Sequence, residues 1–166
     1  ANDVIVDTQS HGGYDQAVYA YAREEADWWE GEIGTTIDNG RFGENLTTLG
    51  IDVNAAVIGE QWEIGSVILE VSQPRIPCRV FAGFWQRPTL IKEFMAAGRP
   101  GTYLRIIQEG EITAGDSINV IKVPEHGVTI ADLYAAKNGE RSKVSEIAQV
   151  KELSTKYQEW AKNLNL

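Results

Sequence analysis

The stretch from Glu70 to Phe84 reads EVSQPRIPCRVFAGF and predicts the end of a strand followed by a short helix. Val67, Leu69 and Val71 recur at every second position ahead of Pro74, which is typical of a strand with one buried face, and proline stops strand pairing. Pro77 suits the first turn of a helix because it has no N–H group to leave unpaired. We therefore predict that Cys78, the single cysteine of the chain, lies at a helix N-terminus directly after a strand.

This position favours the thiolate form of Cys78. A helix N-terminus attracts anions, and Arg75 and Arg79 add positive charge close by in the sequence. A thiolate there is suited to act as a nucleophile, a sulfur carrier or a ligand of a soft metal. The alternative is a small buried hydrophobic residue, which is the commonest role of a free cysteine. One cysteine makes no internal disulfide, so the thiol is free under either interpretation.

The sequence on both sides of this stretch predicts β-structure. Residues 60–74 predict a hairpin that turns at Gly65-Ser66. Tyr103–Gln108 and Ser117–Val123 predict two further strands around a Gly-rich turn. Three residues of the second hairpin strand are expected to share one face: Val67, Leu69 and Val71.

The segment ahead of the hairpin predicts a helix and then turns. Asp15–Glu30 places apolar residues at helical spacing, with Asp15 as the N-cap and Gly31 at the end. The Gly- and Asn-rich residues 31–48 predict tight turns whose backbone amides can point at a ligand.

The chain changes character at Pro124, which predicts two units, residues 1–123 and 124–166. The second unit is expected to hold three short helices, the first with a capping box between Thr129 and Asp132. Residues 145–153 predict the second helix. In the third helix Ser154 is the expected N-cap, and one apolar stripe is formed by Tyr157, Trp160, Ala161 and Leu164. We expect these helices to serve packing or homo-oligomerisation, since six basic against five acidic residues over 128–166 is a weak basis for DNA binding.

Charge is distributed unevenly along a chain whose net charge is −9. Residues 1–71 carry 14 acidic and two basic residues. Residues 72–105 reverse this balance, with six basic residues against Glu93 alone. So small a basic segment argues against a nucleic-acid partner and favours a small anionic ligand. The alternative is that these bases neutralise the acidic first part across the fold.

Composition predicts a globular protein without a membrane partner. The chain has 166 residues, 43% of them hydrophobic, and no apolar run approaches the ~20 residues of a membrane helix. The first ten residues, ANDVIVDTQS, lack the basic start and apolar core of a signal peptide, so we expect a cytoplasmic location. The chain does not begin with Met, and we expect its N-terminus to be trimmed or not represented.

Several standard sites are absent from the sequence. It contains no G-x-S-x-G, Walker or H-E-x-x-H motif, and two histidines and one cysteine are too few and scattered for a zinc site. The first lysine is Lys92, and no lysine lies in a Gly-rich phosphate cradle, which argues against pyridoxal phosphate. His11, which precedes two glycines, belongs either to an anion-binding amide nest or to a self-bonded turn. We expect His126 to be a surface or linker residue.

Four ordered motifs resemble the MOSC domain, named after the C-terminal domain of molybdenum cofactor sulfurase: HGGYDQAVYAY, RFGENLTT, VSQPRIPC and GRPGTYLR followed by GEITAGD. The resemblance runs from about His11 to Val123 and is nearest to stand-alone bacterial members of the YiiM type. The tail is similar to the three-helix domain that often follows in such proteins. The resemblance implies a mainly β (α+β) fold, with a barrel-like MOSC domain, short helices and a small helical C-terminal domain.

The resemblance also implies a function. Cys78 would be the catalytic residue and the metal ligand of a molybdenum cofactor (molybdopterin). The protein would be a molybdenum-dependent reductase of N-hydroxylated small molecules, working with an electron-donating flavoprotein or similar partner. The alternative is a sulfur or cofactor carrier, with a persulfide on Cys78 and no turnover of its own.

The resemblance assigns further site residues. Arg75 and Arg41 would contact the phosphate or the pterin. Hydrogen-bonding support would come from Asn45, Gln73, His11 and the amides of Gly12 and Gly13. Tyr14, Phe42 and Trp85 are expected either to wall the pocket or to pack in the core.

The chain departs from the family pattern in two places. The usual Pro-Asp-Lys after HGG is replaced by Tyr14, Asp15 and Gln16, so the role of that lysine is not carried over. The family also has β-structure ahead of HGG, so we expect part of the barrel to be missing from this chain.

Overall fold

The computed structural model describes residues 12–164, which form a mixed six-stranded sheet shaped as a half-barrel with several helices. The strand order is β2-β1-β5-β4-β3-β6, and only β1 and β2 pair in parallel. The strands are β1 (Val18–Ala22), β2 (Leu46–Thr48), β3 (Gln61–Ile64), β4 (Val67–Pro74), β5 (Thr102–Gln108) and β6 (Ile118–Lys122). The helices are α1 (Arg23–Ile33), α2 (Arg79–Phe84), α3 (Leu90–Ala97), α4 (Ile130–Lys137), α5 (Val144–Ile147) and α6 (Thr155–Leu164). The α+β fold predicted from the sequence is confirmed.

The predicted hairpin is present as β3 and β4. Ile64 pairs with Val67, which leaves a two-residue turn. Gly65 in that turn has a φ of 57°, and a Cβ there would lie 2.4 Å from the Glu111 carbonyl oxygen, so only glycine fits. The predicted inward face of β4 is buried, and the strand ends at Pro74 as expected. This strand end delivers the chain to Cys78.

The predicted helix over Asp15–Glu30 is wrong in its first half. Val18–Ala22 is a strand that pairs with β5 on one side and β2 on the other. Tyrosines and alanines alternate along it, but it is buried on both faces, so the polar alternation that indicates a strand is missing. Helix α1 begins only at Arg23 and continues past Gly31 to Gly34, which has a left-handed φ of 77°. The predicted N-cap Asp15 instead forms a salt bridge with Arg105.

The segment predicted as turns, residues 31–48, is only partly so. Its first residues complete α1, and its last residues, Leu46–Thr48, form the edge strand β2. Between them, turns centre on Gly40 and Gly43, both with positive φ. These turns form part of the wall beside Cys78.

The tail forms three helices. Thr129 and Asp132 make the predicted capping box at the start of α4. The second helix is shorter than predicted and covers only Val144–Ile147. In α6, Tyr157 and Ala161 are buried. None of the helices within residues 12–164 is long and apolar enough to cross a membrane.

Two apolar clusters form the core. The larger one joins sheet residues such as Trp62 and Leu69 to tail residues such as Leu133, Ile147 and Ala161, so it is continuous across residue 124. A polar contact also joins the tail to the first part of the chain, because His126 Nε2 lies 3.0 Å from the Ile58 carbonyl oxygen. The division into units 1–123 and 124–166 stays a prediction from the sequence, and the shared core leads us to expect that the two do not fold independently.

The smaller cluster is aromatic and lies under α2. It includes Tyr21, Trp29, Phe42, Phe81 and Phe94, and the partly buried Cys78 packs against it. The Trp29 and Phe94 rings stack with centroids 5.8 Å apart. Such a packed layer gives the loop around Cys78 a rigid base.

Candidate functional site

Cys78 is the N-cap residue of α2, which confirms its predicted place at a helix N-terminus, but Pro77 precedes the helix instead of lying in its first turn. Its backbone is extended (φ −126°, ψ 174°), and its carbonyl oxygen accepts a hydrogen bond of 3.2 Å from the Ala82 N–H group. The thiol is free and partly exposed. A half-exposed cysteine between a strand end and a helix start can be reached by a ligand, which a fully packed cysteine cannot.

Two clefts meet at Cys78. The first, which we call the aromatic cleft, has a volume of about 350 Å³. It is lined by Gly40, Arg41, Phe42, Gly43, Arg75, Cys78, Val80, Phe81 and Phe84. The rings and the two glycine backbones give it a mostly apolar wall, which suits the flat ring system of a small molecule.

The second cleft, which we call the basic cleft, has a volume of about 500 Å³. It is lined by Gln16, Pro74, Arg75, Ile76, Pro77, Cys78, Arg79, Val80, Tyr103, Lys137, Lys156 and Tyr157. Four of these residues are cationic and none is acidic. A cleft lined by positive charges alone attracts anions. The basic cleft therefore suits the charged part of a ligand, and the aromatic cleft suits an apolar ring.

Arg75 lies at the boundary and lines both clefts. Its guanidinium carbon lies 4.4 Å from the centre of the Phe81 ring and 5.0 Å from that of Tyr19, and Nη1 donates a hydrogen bond to the Phe42 carbonyl oxygen. Within residues 12–164 it forms no salt bridge with a carboxylate. Arg75 is therefore a fixed cation whose charge is available to a ligand.

Arg41 lies at the aromatic cleft in a more exposed position. Its guanidinium carbon lies 4.4 Å from the centre of the Phe84 ring and 5.2 Å from that of Trp85. Phe42 both walls this cleft and packs in the core, whereas Trp85 packs behind it. Tyr14 lines neither cleft and lies against Arg105.

Two predicted cofactor contacts bond to the protein itself instead. Asn45 Oδ1 accepts a hydrogen bond of 2.9 Å from the Tyr19 backbone N–H group. The Asn45 backbone N–H group donates one of 2.9 Å to the Tyr19 carbonyl oxygen. Gln73 is buried and accepts a bond of 3.3 Å from the Ser154 hydroxyl. Neither residue lines the two clefts, and their contact with a cofactor stays a prediction.

The glycines after His11 do not line the basic cleft but bond to a residue that does. The Gly12 N–H group donates to Gln16 Oε1 at 3.2 Å, and the Gly13 carbonyl oxygen accepts from the Gln16 N–H group at 3.0 Å. The two glycines thus hold Gln16, which itself lines the basic cleft. His11 lies outside the described residues.

Several residues of the basic cleft were not predicted from the sequence: Tyr103, Lys137, Lys156 and Tyr157. Burial raises the pKa of the Tyr103 hydroxyl, an effect opposed by the charge of Arg75. Burial also raises the pKa of Tyr157 to about 12. Both hydroxyls therefore keep their protons at neutral pH. The tail carries nearly balanced charge, so composition alone gave no signal that two of its lysines meet in one cleft.

A half-barrel that presents one thiol between an aromatic and a basic cleft suits a small, partly anionic ligand held at sulfur. The MOSC domain model matches residues 7–119, and the chain therefore belongs to the MOSC domain family, which is associated with molybdenum cofactor binding. This result confirms the resemblance seen in the four sequence motifs.

Similar proteins support the same assignment. YflK of Bacillus subtilis (strain 168) is 30% identical over 128 residues, 77% of this chain and 58% of that protein. A protein named reductase, from Gibberella moniliformis (strain M3125 / FGSC 7600), is 32% identical over 121 residues, 70% of this chain and 22% of that protein. The chain thus spans less than two thirds of the length of either relative.

A solved structure confirms the fold. The crystal structure of YiiM from Geobacillus stearothermophilus matches 92% of this chain and 80% of that chain, with a TM-score of 0.85 and 32% sequence identity. The similarity extends well beyond residue 119, where the family match ends, and therefore includes tail helices as well as the half-barrel.

Proposed function

We propose that the protein binds a molybdopterin-type molybdenum cofactor at Cys78 and reduces N-hydroxylated small molecules with electrons from a separate cytoplasmic donor protein. One observation carries the proposal: the only thiol lies where an aromatic cleft meets a basic cleft that no acidic residue among residues 12–164 lines. Membership of the MOSC family and the relative named reductase support the reaction class.

The residues present fit such a cofactor. No group of three or more His, Cys, Asp or Glu side chains in residues 12–164 is arranged to hold a metal ion. In our proposal Cys78 would be the protein ligand, and the cofactor would supply the others. A thiolate is the ligand that a soft, sulfur-bound metal prefers. Arg75 and Arg41, which form no salt bridge with a carboxylate of residues 12–164, would offer cations to a phosphate or an electron-rich ring.

When bound, the cofactor supplies the two-electron chemistry that no side chain of this protein can carry out. Converting an N–OH group to N–H takes two electrons and two protons and releases water. Tyr103 lines the cleft beside Cys78, but burial raises the pKa of its hydroxyl and makes it a weaker acid, so the two protons would come from solvent rather than from this residue. Phe81 and Phe84 limit the access of water from the aromatic side.

The electrons must come from a partner. The sequence contains no G-x-G-x-x-G fingerprint for binding a dinucleotide, and one cysteine cannot form a dithiol relay. Exposed acidic residues of this part of the chain, among them Glu24, Glu32 and Asp38, would meet a basic patch on a flavoprotein or similar donor. Turnover with the donor should therefore slow as salt is added, because salt screens exposed charges.

The test is consumption of an amidoxime or N-hydroxylated purine by the full chain made in a host that synthesises the cofactor. A chemical reductant serves as a positive control, and Cys78→Ala serves as the inactive variant. We expect turnover that depends on both the reductant and Cys78. No turnover with any electron source, together with transfer of sulfur or cofactor to an acceptor protein, would replace the reductase proposal with the carrier function.

A further inference from the structure

A buried carboxylate follows the turn that walls the aromatic cleft. Residues 40–43 supply four consecutive lining residues of that cleft. Glu44 comes next in the chain and is only 8% exposed. Within residues 12–164 it forms no salt bridge with a cation. Burial of a carboxylate without a cation costs free energy unless hydrogen bonds replace its water, so its hydrogen-bond partners show which part of the fold depends on it.

The hydrogen bonds of Glu44 come from the turn and from the sheet. Its Oε1 accepts one of 2.7 Å from the Gly40 N–H group and one of 3.0 Å from the Thr47 hydroxyl. Its Oε2 accepts one of 3.0 Å from the Phe42 N–H group. Thr47 lies in the edge strand β2, so a single carboxylate joins two positions of the turn to the sheet.

The turn needs this link because two of its four residues are glycines. A chain rich in glycine adopts many backbone conformations when nothing restrains it. The Gly43 N–H group donates to the Gly40 carbonyl oxygen at 2.9 Å, which closes the turn but does not attach it to the sheet. Glu44 makes that attachment, and the paired bonds between Asn45 and Tyr19 of β1 hold the backbone directly after it.

The attached turn also positions groups beside Cys78. The Phe42 ring is 1% exposed, with its centre 6.1 Å from that of the Phe81 ring. The Phe42 carbonyl oxygen accepts the hydrogen bond from Arg75 Nη1. The N–H group of Phe42 is therefore bonded to Glu44, while its carbonyl oxygen is bonded to a cation that lines both clefts. Displacement of the turn would change the wall of the aromatic cleft and move the acceptor of Arg75.

We propose that Glu44 is a positioning residue, whose carboxylate gives the aromatic cleft the shape that admits a planar ring beside Cys78. Glu44 lines neither cleft, so it acts through the Gly40 and Phe42 amides and does not touch the ligand. The bearing of this role on catalysis rests on the proposed function. The effect of Glu44 on the cleft can be measured without cofactor or turnover.

Cys78 can report on the shape of the cleft, because it is the only thiol of the chain and lines the cleft. The full chain, made in a host without the cofactor, is alkylated with N-benzyl iodoacetamide, which carries a flat ring, and with iodoacetamide, which does not. Rates with glutathione correct for the reactivity of each reagent. The corrected ratio of the two rates cancels any change in ionisation of the thiol. We expect the unmodified chain to prefer the benzyl reagent, because its ring can pack in the cleft.

A matched pair of variants tests the role of Glu44. Glu44→Asp keeps the negative charge but shortens the side chain, which withdraws the carboxylate from the two amides of the turn. Glu60→Asp is the control, since Glu60 is also 8% exposed and bonds to Trp62 and Val57, outside both clefts. We expect the corrected ratio to fall by about threefold or more in Glu44→Asp and to stay unchanged in Glu60→Asp.

Three results would overturn the proposal: an unchanged ratio in Glu44→Asp, an equal fall in Glu60→Asp, or no preference for the benzyl reagent in the unmodified chain. Glu44→Gln is the safeguard if Glu44→Asp does not fold. Gln keeps the length of the side chain, but only one of its two terminal atoms accepts hydrogen bonds, so it holds at most one of the two amides. Its ratio should fall by about twofold, and an unchanged ratio in folded Glu44→Gln would equally overturn the proposal. Failure of the reductase proposal leaves all these results interpretable.

Discussion

The aromatic cleft and the basic cleft share Arg75, Cys78 and Val80, but they are assembled differently. The aromatic cleft uses two short segments, residues 40–43 and 75–84. The basic cleft gathers residues between positions 16 and 157, from the first turn to the last helix. One side of Cys78 is thus a local structure, whereas the other depends on the whole fold.

The two clefts are therefore suited to different tasks, recognition of shape in the aromatic cleft and recognition of charge in the basic cleft. Local, aromatic walls can recognise the shape of a ring with little dependence on distant parts of the chain. A set of unpaired cations needs a rigid framework, because the cations repel each other until a ligand arrives. The buried contacts between the sheet and the tail provide that framework.

The largest expected effect comes from removing the tail, which should destroy more than the basic cleft. Deleting residues 124–166 removes Leu133, Ile147 and other members of the main core cluster. Each fully buried Leu or Ile contributes about 2 to 5 kcal/mol, against a typical total stability of about 5 to 15 kcal/mol. We expect the truncated chain to show no cooperative thermal unfolding by circular dichroism.

A matched pair of point variants sharpens this test. Leu133 is completely buried, whereas Leu164 is 39% exposed. Leu133→Ala should lower the stability of sheet and helices together, and Leu164→Ala should have little effect. Cooperative unfolding of the truncated chain, with native near-ultraviolet dichroism, would contradict our expectation and support two independent units.

High pH should destabilise the fold through several buried tyrosines, among them Tyr19, Tyr134 and Tyr157, and Tyr157 also lines the basic cleft. The pKa of Tyr157 is raised to about 12, so between about pH 10 and 12 the unfolded chain loses a proton that the folded chain keeps. Stability should therefore fall as the pH rises through this range, by about 3 kcal/mol from this residue. In urea titrations over the same pH range, the free energy of unfolding of Tyr157→Phe should fall less than that of the unmodified chain. The same pH dependence in both proteins would refute the raised pKa of Tyr157.

Arg75 is shared by the two clefts, and its removal should affect both. Arg75→Met loses two ring contacts and a hydrogen bond, which should lower the free energy of unfolding by about 1 to 2 kcal/mol. Arg79→Met is the control, because Arg79 is exposed and has no such contacts within residues 12–164. Equal urea midpoints for the two variants would show that Arg75 is not fixed in solution.

The smallest effect on stability is expected at the aromatic cleft. Phe84 is 53% exposed, so Phe84→Ala should cost less than about 1 kcal/mol of unfolding free energy. The variant should nevertheless retain less pterin, because the ring walls the cleft and lies against Arg41. Phe84→Leu, which keeps an apolar wall, should retain more pterin than Phe84→Ala. Equal pterin content in both variants and the unmodified chain would remove Phe84 from the site.

Local signals in the sequence predict the part of the site nearest Cys78. A strand that ends at a proline and a helix that starts after another proline are recognisable from adjacent residues, and both are confirmed. Strand β1 was missed because it is buried on both faces, which removes the alternation that distinguishes a strand.

Residues brought together by the fold were beyond sequence analysis. Lys137 and Lys156 come from helices whose charge is nearly balanced, and only their packing directs both lysines into one cleft. Asn45 and Gln73, chosen because they lie in family motifs, bond to Tyr19 and Ser154 in the structure. Motif membership therefore points to the region of the candidate site but does not distinguish residues that line its clefts from residues that hold its loops.

The central claim is that the Cys78 thiolate holds the metal, and the molybdenum content of Cys78→Ser tests it most directly. The full chain and the variant are made in the same cofactor-synthesising host and analysed by mass spectrometry for metal per chain. A hydroxyl is a harder and less acidic ligand than a thiol, so we expect about one molybdenum per unmodified chain and less than about a tenth of that in the variant, with unchanged circular dichroism. Full molybdenum retention by a folded Cys78→Ser protein would contradict the claim and leave Cys78 as a packing residue.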